Sequence, residues 1–102
     1  FTLTDENTLQ IHYTALSDKP TVVNLSNHAY FNLCGHDKGD ISSHWLKINA
    51  GYYAPVDMMC IPTGEVSPAQ NTPFDFMSFH RIGERIEAKY SQLEIANGYD
   101  HN

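Results

Sequence analysis

His28 is the residue whose type and surroundings best suit chemistry in this chain of 102 residues. An imidazole can donate or accept a proton near neutral pH, so it can serve as a general acid or a general base. The stretch around it, residues 21–33, has three asparagines but no charged side chain. Uncharged hydrogen-bonding groups of this kind suit a partly desolvated binding site better than a fully solvated surface.

Residues 21–33 alternate apolar and polar side chains at period two, which predicts a long β-strand with two different faces. The apolar face, predicted to lie in the core, would carry Val23, Leu25, Ala29, Phe31 and Leu33. The polar face would carry Asn24, Ser26, His28, Tyr30 and Asn32. Amides, hydroxyls and an aromatic ring on one face would suit a polyhydroxylated ligand, whereas the alternative is a solvent-exposed face with a surface histidine. The run is about twice a common strand length, so we expect a bend, most naturally at Asn27.

The elements that would hold this strand are also mostly extended. Turn-forming residues between Phe1–Thr4 and Leu9–Ala15 predict a β-hairpin. Further extended pieces are predicted at His44–Ala50, Tyr52–Asp57 and Ile61–Val66, and a single short helix is predicted between Ser78 and Tyr90 from apolar spacings of three and four. Many short strands with one minor helix favour an all-β fold, an antiparallel β-sandwich.

Composition and motifs exclude several classes of function. With a net charge of −6, the chain is poorly suited to bind nucleic acid or an anionic membrane surface. No apolar run reaches membrane-spanning length, and we expect a cytoplasmic protein. There is no phosphate-binding or dinucleotide-binding glycine motif, and the histidines at 28, 36 and 44 lack the close pairing of zinc sites, so we expect neither cofactor nor metal. The two cysteines are expected to be buried or half-buried free thiols.

Five short motifs together resemble a known family. VVNLSNHAYFNL is followed by YYAPVD, IPTGE, TPFDF and GYDHN, in this order, and the set is similar to aldose 1-epimerases, also called galactose mutarotases. The resemblance covers nearly the whole chain. It implies a galactose mutarotase-like β-sandwich, here a partial one, that interconverts the α and β anomers of free hexoses such as galactose and glucose. It also implies that no metal or nucleotide is required.

The resemblance assigns roles to two residues. His28 matches the position of the family's general acid, and Asp100 matches an aspartate that binds sugar hydroxyls. The family's second histidine and its glutamate base match no position of these 102 residues. Residues 1–102 would then be a central segment of a single domain, without an internal boundary, and inactive alone. A non-catalytic carbohydrate-binding module and an interaction domain without a sugar site remain as alternatives.

Other residues are weaker candidates. Tyr30 and Asn32 share the predicted face of His28, and Trp45 is a possible platform for stacking a sugar. The remaining histidines are expected to have no role in the site: His12, His36, His44 and His80 at the surface, and His101 in a structural role.

Overall fold

The structure is a computed structural model that describes residues 1–99. By its contacts the chain divides into a first unit, Phe1–Tyr30, and a second unit, Phe31–Asn102. Every strand pair in the described part is antiparallel, and the same part has one short α-helix. The predicted all-β class with antiparallel pairing and one short helix is therefore confirmed, although the regular ladders are short.

The first unit contains the predicted hairpin. Strand β1, Thr2–Leu3, pairs with β2, Leu9–Gln10, so that Thr2 lies opposite Gln10 and Leu3 opposite Leu9. The connecting turn is closed by the hydrogen bond from the Thr4 N–H to the Thr8 carbonyl, at 2.9 Å. Asn7 adopts a positive φ of 56°, which asparagine tolerates better than most residues.

The long strand predicted at residues 21–33 is wrong as regular structure. The segment has no ladder partner in the described chain, and its apolar side chains are exposed, Val23 by 57% and Leu33 by 86%. Asn27 instead makes a local turn, because its Oδ1 accepts a hydrogen bond from the Ala29 N–H at 3.0 Å. Alternation predicts which side chains share a face, but a strand also needs a neighbour to satisfy its backbone groups.

The second unit holds two further ladders. Strand β3, Trp45–Leu46, pairs with β6, His80–Arg81, and β4, Tyr52–Tyr53, pairs with β5, Ser67–Pro68. The Ile82 N–H donates to the His44 carbonyl and continues the first of these ladders at one end, and beyond its other end the Ile48 N–H donates to the Phe76 carbonyl. An isolated antiparallel bridge joins Val56 to Pro62.

The helix predicted between Ser78 and Tyr90 is wrong. That segment contains β6 and then a single 3-10 turn, Ile82–Glu84, whereas the α-helix α1 spans Ser91–Ile95. Gly83 explains part of the difference, because a Cβ on it would lie 2.7 Å from the Cβ of Ser42. The glycine therefore serves a close approach of two chain segments and is not a weak point in a helix.

A small core forms within the second unit, from Val56, Ala69, Phe76, Leu93 and Ala96. The side chain of Gln92, in α1, contributes to this core by binding both the N–H and the carbonyl of Val56. Its Oε1 accepts from the Val56 N–H at 2.8 Å, and its Nε2 donates to the Val56 carbonyl at 3.0 Å. The side-chain amide thus takes the place of a neighbouring strand. None of the helical segments within residues 1–99 has the length and apolar character of a membrane span.

Candidate functional site

His28 lies at the surface of the first unit. Its imidazole is exposed, and its ring centroid lies 5.2 Å from that of Tyr30, with the two planes at 60°. The side chain of Asn27, next to it, is occupied by the local turn. The arrangement leaves the imidazole accessible beside an aromatic ring.

The second predicted site residue, Asp100, lies outside the described residues, as does His101. The chain leading up to Asp100 is described as far as Tyr99, and it belongs to the second unit. Its structure shows how the fold presents the residues that precede the aspartate.

Helix α1 ends in a turn formed by Asn97 and Gly98. After Ala96, Asn97 has a positive φ of 52° and Gly98 one of 120°. The Gly98 N–H donates to the Leu93 carbonyl at 2.8 Å, the long hydrogen bond of a Schellman-type helix end. Glycine suits this position because residues with a side chain rarely adopt such a backbone conformation.

Tyr99 is anchored at both its hydroxyl and its ring. The hydroxyl donates to the Pro73 carbonyl at 3.0 Å. The ring packs edge-on against Phe74 and Phe76, at centroid distances of 5.6 and 5.4 Å. Burial raises the pKa of Tyr99, while the nearby charge of Arg85 acts in the opposite direction. The residue is therefore fixed to the TPFDF segment.

Arg85 also binds the TPFDF segment. Its Nη1 donates to the Thr72 carbonyl at 3.2 Å and its Nη2 to the Asp75 carbonyl at 2.5 Å. The guanidinium carbon lies 5.2 Å from the centre of the Phe76 ring, a cation–π geometry. Its Nε is buried without a hydrogen-bond partner in the described chain. One cation thus closes the turn on which Tyr99 rests.

A pair of tyrosine hydroxyls extends the aromatic cluster. The hydroxyls of Tyr53 and Tyr90 are 2.8 Å apart, and the Tyr53 ring stacks on Phe74 at 4.6 Å. Burial, followed by the hydrogen bond from Tyr90, raises the pKa of Tyr53 to about 12. Tyr53 is therefore neutral at physiological pH, and its contact with Tyr90 is structural.

An apolar cavity of about 370 Å³ lies beside this cluster in the second unit. Its walls include Leu46, Ile48, Tyr53, Phe76 and Tyr99. Few of its lining groups are polar, so the cavity does not resemble a site for a sugar, which needs several hydrogen-bonding groups.

Several weaker candidates are engaged elsewhere. Asn32 donates to the Gly39 carbonyl and accepts from the Cys34 N–H, both at 3.0 Å, so its amide closes the loop 32–39. Trp45 is 60% exposed, but the Arg81 guanidinium lies 5.4 Å over its ring. His44, expected at the surface, is half-buried, and its Nε2 accepts from the Leu33 N–H at 3.0 Å. The cysteines are free, as predicted, but exposed.

A hydrogen-bonded series that sequence reasoning missed joins Ser78, His80 and Glu84. The Ser78 Oγ lies 3.0 Å from His80 Nε2, and His80 Nδ1 lies 3.2 Å from the Glu84 carboxylate. The hydrogen bond from His80 holds the pKa of Glu84 below its ordinary value. Glu84 also accepts from the Arg81 N–H at the start of the 3-10 turn, so we interpret the series as a cap for that turn. His80 was expected at the surface but is half-buried.

The anchoring roles of Arg85 and Tyr99 had no clear signal in the sequence. Arg85 lies in a segment that periodicity assigned to a helix, where a charged residue is expected on the solvated face. These residues come together only because the folded chain packs the end of α1 against the TPFDF segment. The five motifs, by contrast, were visible as short strings of letters.

The comparisons with known proteins all indicate the same family. The sequence model of the family described as aldose 1-epimerase matches residues 1–102. The aldose 1-epimerase of Haemophilus influenzae is 40% identical over 105 residues, a match that covers 100% of this chain and 30% of that protein. Human galactose mutarotase is 41% identical over 98 residues, covering 96% and 27%. The aldose 1-epimerase of Escherichia coli K12 is 42% identical over 101 residues, covering 99% and 29%.

A solved structure of galactose 1-epimerase from Lactobacillus acidophilus is similar in fold as well as in sequence. It superposes with a TM-score of 0.51 at 37% identity, over 53% of this chain and 16% of that one. This similarity supports a partial β-sandwich. The chain spans less than a third of the length of the curated relatives it matches.

Proposed function

The chain belongs to the aldose 1-epimerase family, and from that membership we propose that the full-length protein interconverts the α and β anomers of free hexoses such as galactose and glucose. The observation that carries the proposal is the match of the family model along all of residues 1–102. These residues form a central segment of one epimerase domain. The cytoplasmic location expected from the sequence stays a prediction.

His28 is the general acid of the proposed reaction. A base removes the proton of the anomeric hydroxyl, the bond between the anomeric carbon and the ring oxygen breaks, and its electron pair goes to the ring oxygen. His28 donates a proton to that oxygen, which gives the open-chain aldehyde. The aldehyde rotates about its bond to the next carbon, and the reverse steps close the ring as the other anomer. The exposure of the imidazole is compatible with this role.

Asp100 is the proposed ligand for sugar hydroxyls. A carboxylate accepts hydrogen bonds from hydroxyl groups, and such charge-assisted bonds are stronger than neutral ones. Because the family's base glutamate and second histidine match no position in these 102 residues, the segment alone lacks half of the acid–base pair. We therefore propose that it is inactive in isolation.

Polarimetry of freshly dissolved α-galactose tests the role of His28. We expect the full-length protein to accelerate mutarotation and His28→Ala to lower the rate at least ~10²-fold, the usual effect of losing a general acid. His12→Ala is a matched control, since His12 is another exposed histidine of the first unit, and it should leave the rate within about twofold.

Two results would change the proposal. A His28→Ala protein with nearly the wild-type rate would remove His28 from the mechanism. A full-length protein that binds galactose but leaves its mutarotation at the buffer rate would favour the non-catalytic carbohydrate-binding alternative.

A further inference from the structure

A groove of about 350 Å³ in the second unit differs from the apolar cavity described above in the side chains that line it. An aromatic ring, a primary amide and a carboxylate share its wall, which is formed by Gly51, Tyr52, Pro68, Gln70, Asp75 and Met77. We propose that this groove, here called the Tyr52 groove, binds a neutral hexose. The site is an addition to the function proposed above, because none of its residues is assigned to the interconversion of anomers.

Tyr52 supplies the aromatic ring of the groove. Side chains alternate along β4, so the ring of Tyr53 stacks on Phe74, whereas Tyr52 is 65% exposed. The antiparallel pairing of β4 with β5 fixes the backbone that carries Tyr52. A tyrosine ring offers an apolar face to the C–H groups of a sugar ring, and its hydroxyl can bond to a sugar hydroxyl.

Asp75 supplies a carboxylate on a restrained backbone. Its N–H donates to the Thr72 carbonyl at 3.2 Å, and its carbonyl accepts from the Arg85 guanidinium. Its Oδ1 accepts from the Met77 N–H at 3.2 Å, which orients the carboxylate. Because a carboxylate can accept about four hydrogen bonds, it has further positions for the hydroxyl groups of a ligand.

Gln70 adds a side-chain amide from the turn that precedes Asp75. Gln70 is exposed, and the turn around it is closed by the hydrogen bond from the Thr72 N–H to the Ala69 carbonyl at 3.0 Å. Asn71 completes this turn with a positive φ of 63°. An amide donates as well as accepts hydrogen bonds, and so does a sugar hydroxyl.

The charge of the lining determines the class of ligand. None of the six lining residues is basic, so a phosphate or carboxylate group would be repelled by Asp75 without a compensating cation. A wholly apolar ligand would remove water from the carboxylate without replacing its hydrogen bonds. A neutral hexose offers hydroxyls to Asp75 and Gln70 and an apolar ring face to Tyr52. The volume lies in the range of small-molecule sites.

NMR of the full-length protein, with carbon-13 in the methyl groups of methionine, tests the Tyr52 groove. The Met77 methyl group reports on the groove, and Met77→Leu identifies its signal. Met58 and Met59 are 80% and 77% exposed but do not line the groove, so their signals are internal controls. The ligands are galactose, methyl β-galactoside, which cannot change its anomeric form, and glucose 6-phosphate.

We expect galactose and methyl β-galactoside to shift the Met77 signal saturably, with a midpoint of ~1–10 mM for a small ligand in an open groove. Tyr52→Leu and Asp75→Asn should each raise that midpoint at least about 5-fold, whereas Tyr52→Phe, which keeps the ring, should leave it within about twofold. Glucose 6-phosphate should bind at least about 5-fold more weakly than galactose.

Asp57→Asn is a matched control for Asp75→Asn. The Asp57 Oδ1 also accepts from a backbone N–H two residues on, that of Met59 at 2.8 Å, but Asp57 does not line the groove. Its substitution should leave the midpoint within about twofold. The methionine spectrum without sugar checks that each variant is folded, and the exposed Gln70→Ala replaces Asp75→Asn if the latter disturbs that spectrum.

Three results would overturn the hexose site. The first is a Met77 signal that does not move at about 100 mM galactose, well above the expected midpoint. The second is a midpoint that Tyr52→Leu and the carboxylate or amide variant leave unchanged, or that Asp57→Asn raises equally. The third is glucose 6-phosphate binding as tightly as galactose, which would contradict the preference for a neutral sugar.

Discussion

Replacing Arg85 by methionine should destabilise the full-length protein by about 3 kcal/mol. Two hydrogen bonds from the guanidinium to the Thr72 and Asp75 carbonyls are lost, and each bond from a charged donor contributes about 1.5–3 kcal/mol. Methionine keeps much of the aliphatic contact with Phe76 but not the cation–π interaction. Methionine also removes the Nε atom, which is buried without a partner in the described chain, and losing this unsatisfied group stabilises the protein by about 1 kcal/mol or more. The net loss of stability is therefore near the lower end of the summed contributions of the two hydrogen bonds.

The change in the free energy of unfolding is measured by urea denaturation, from the midpoint and slope of the transition. Arg81→Met is a matched control, since Arg81 also lies over an aromatic ring, that of Trp45, but at the exposed surface, and it should cost less than about 1 kcal/mol. Arg85→Lys should fall between the two, because a single ammonium group lacks the fork that reaches both carbonyls. A loss below about 1 kcal/mol for Arg85→Met, or equal losses for the two methionine variants, would refute the assignment of Arg85 as the cation that closes the TPFDF turn.

Two further predictions concern pH and the isolated segment. Because the pKa of Tyr53 is about 12 when folded and 10.0 ordinarily, its contribution to stability is fully present below pH 10 and is lost as the pH rises from 10 to about 12. Tyrosinate absorbance should show a late-titrating phenol that Tyr53→Phe removes; a titration curve unchanged by that substitution would contradict the hydrogen-bonded, half-buried environment assigned to Tyr53. Residues 1–102 expressed alone should leave α-galactose mutarotation at the buffer rate, and polarimetry that detects faster conversion would show that the segment holds its own base.

Local patterns in the sequence predicted what depends on neighbouring residues. The hairpin of β1 and β2 forms where turn chemistry separates two alternating pieces, because both strands and their turn lie within ten residues. The antiparallel class followed from many short extended pieces, and the five ordered motifs indicated the family. His28 was predicted as a site residue from its type and its uncharged surroundings, and that role stays a prediction.

The interior of the second unit was beyond this kind of reasoning. The apolar spacing of residues 78–90 is satisfied by a strand and a 3-10 turn, because Gly83 must approach Ser42 and Arg85 must reach the turn at residues 72–75. These constraints come from residues far apart in the chain. Periodicity within one segment carries no information about them.

For this protein, the sequence by itself determined the family and the chemical types of its candidate groups, because short motifs and an imidazole are properties of local residue order. Only the tertiary structure decided which backbone groups found partners. Residues 21–33 did not form a strand, whereas Tyr99 and Arg85 came to bind the backbone of residues 72–75, close to the end of α1 at Gly98. The physical reason is that buried polar groups must be satisfied by whatever lies near them in space, and spatial neighbours are set by the fold.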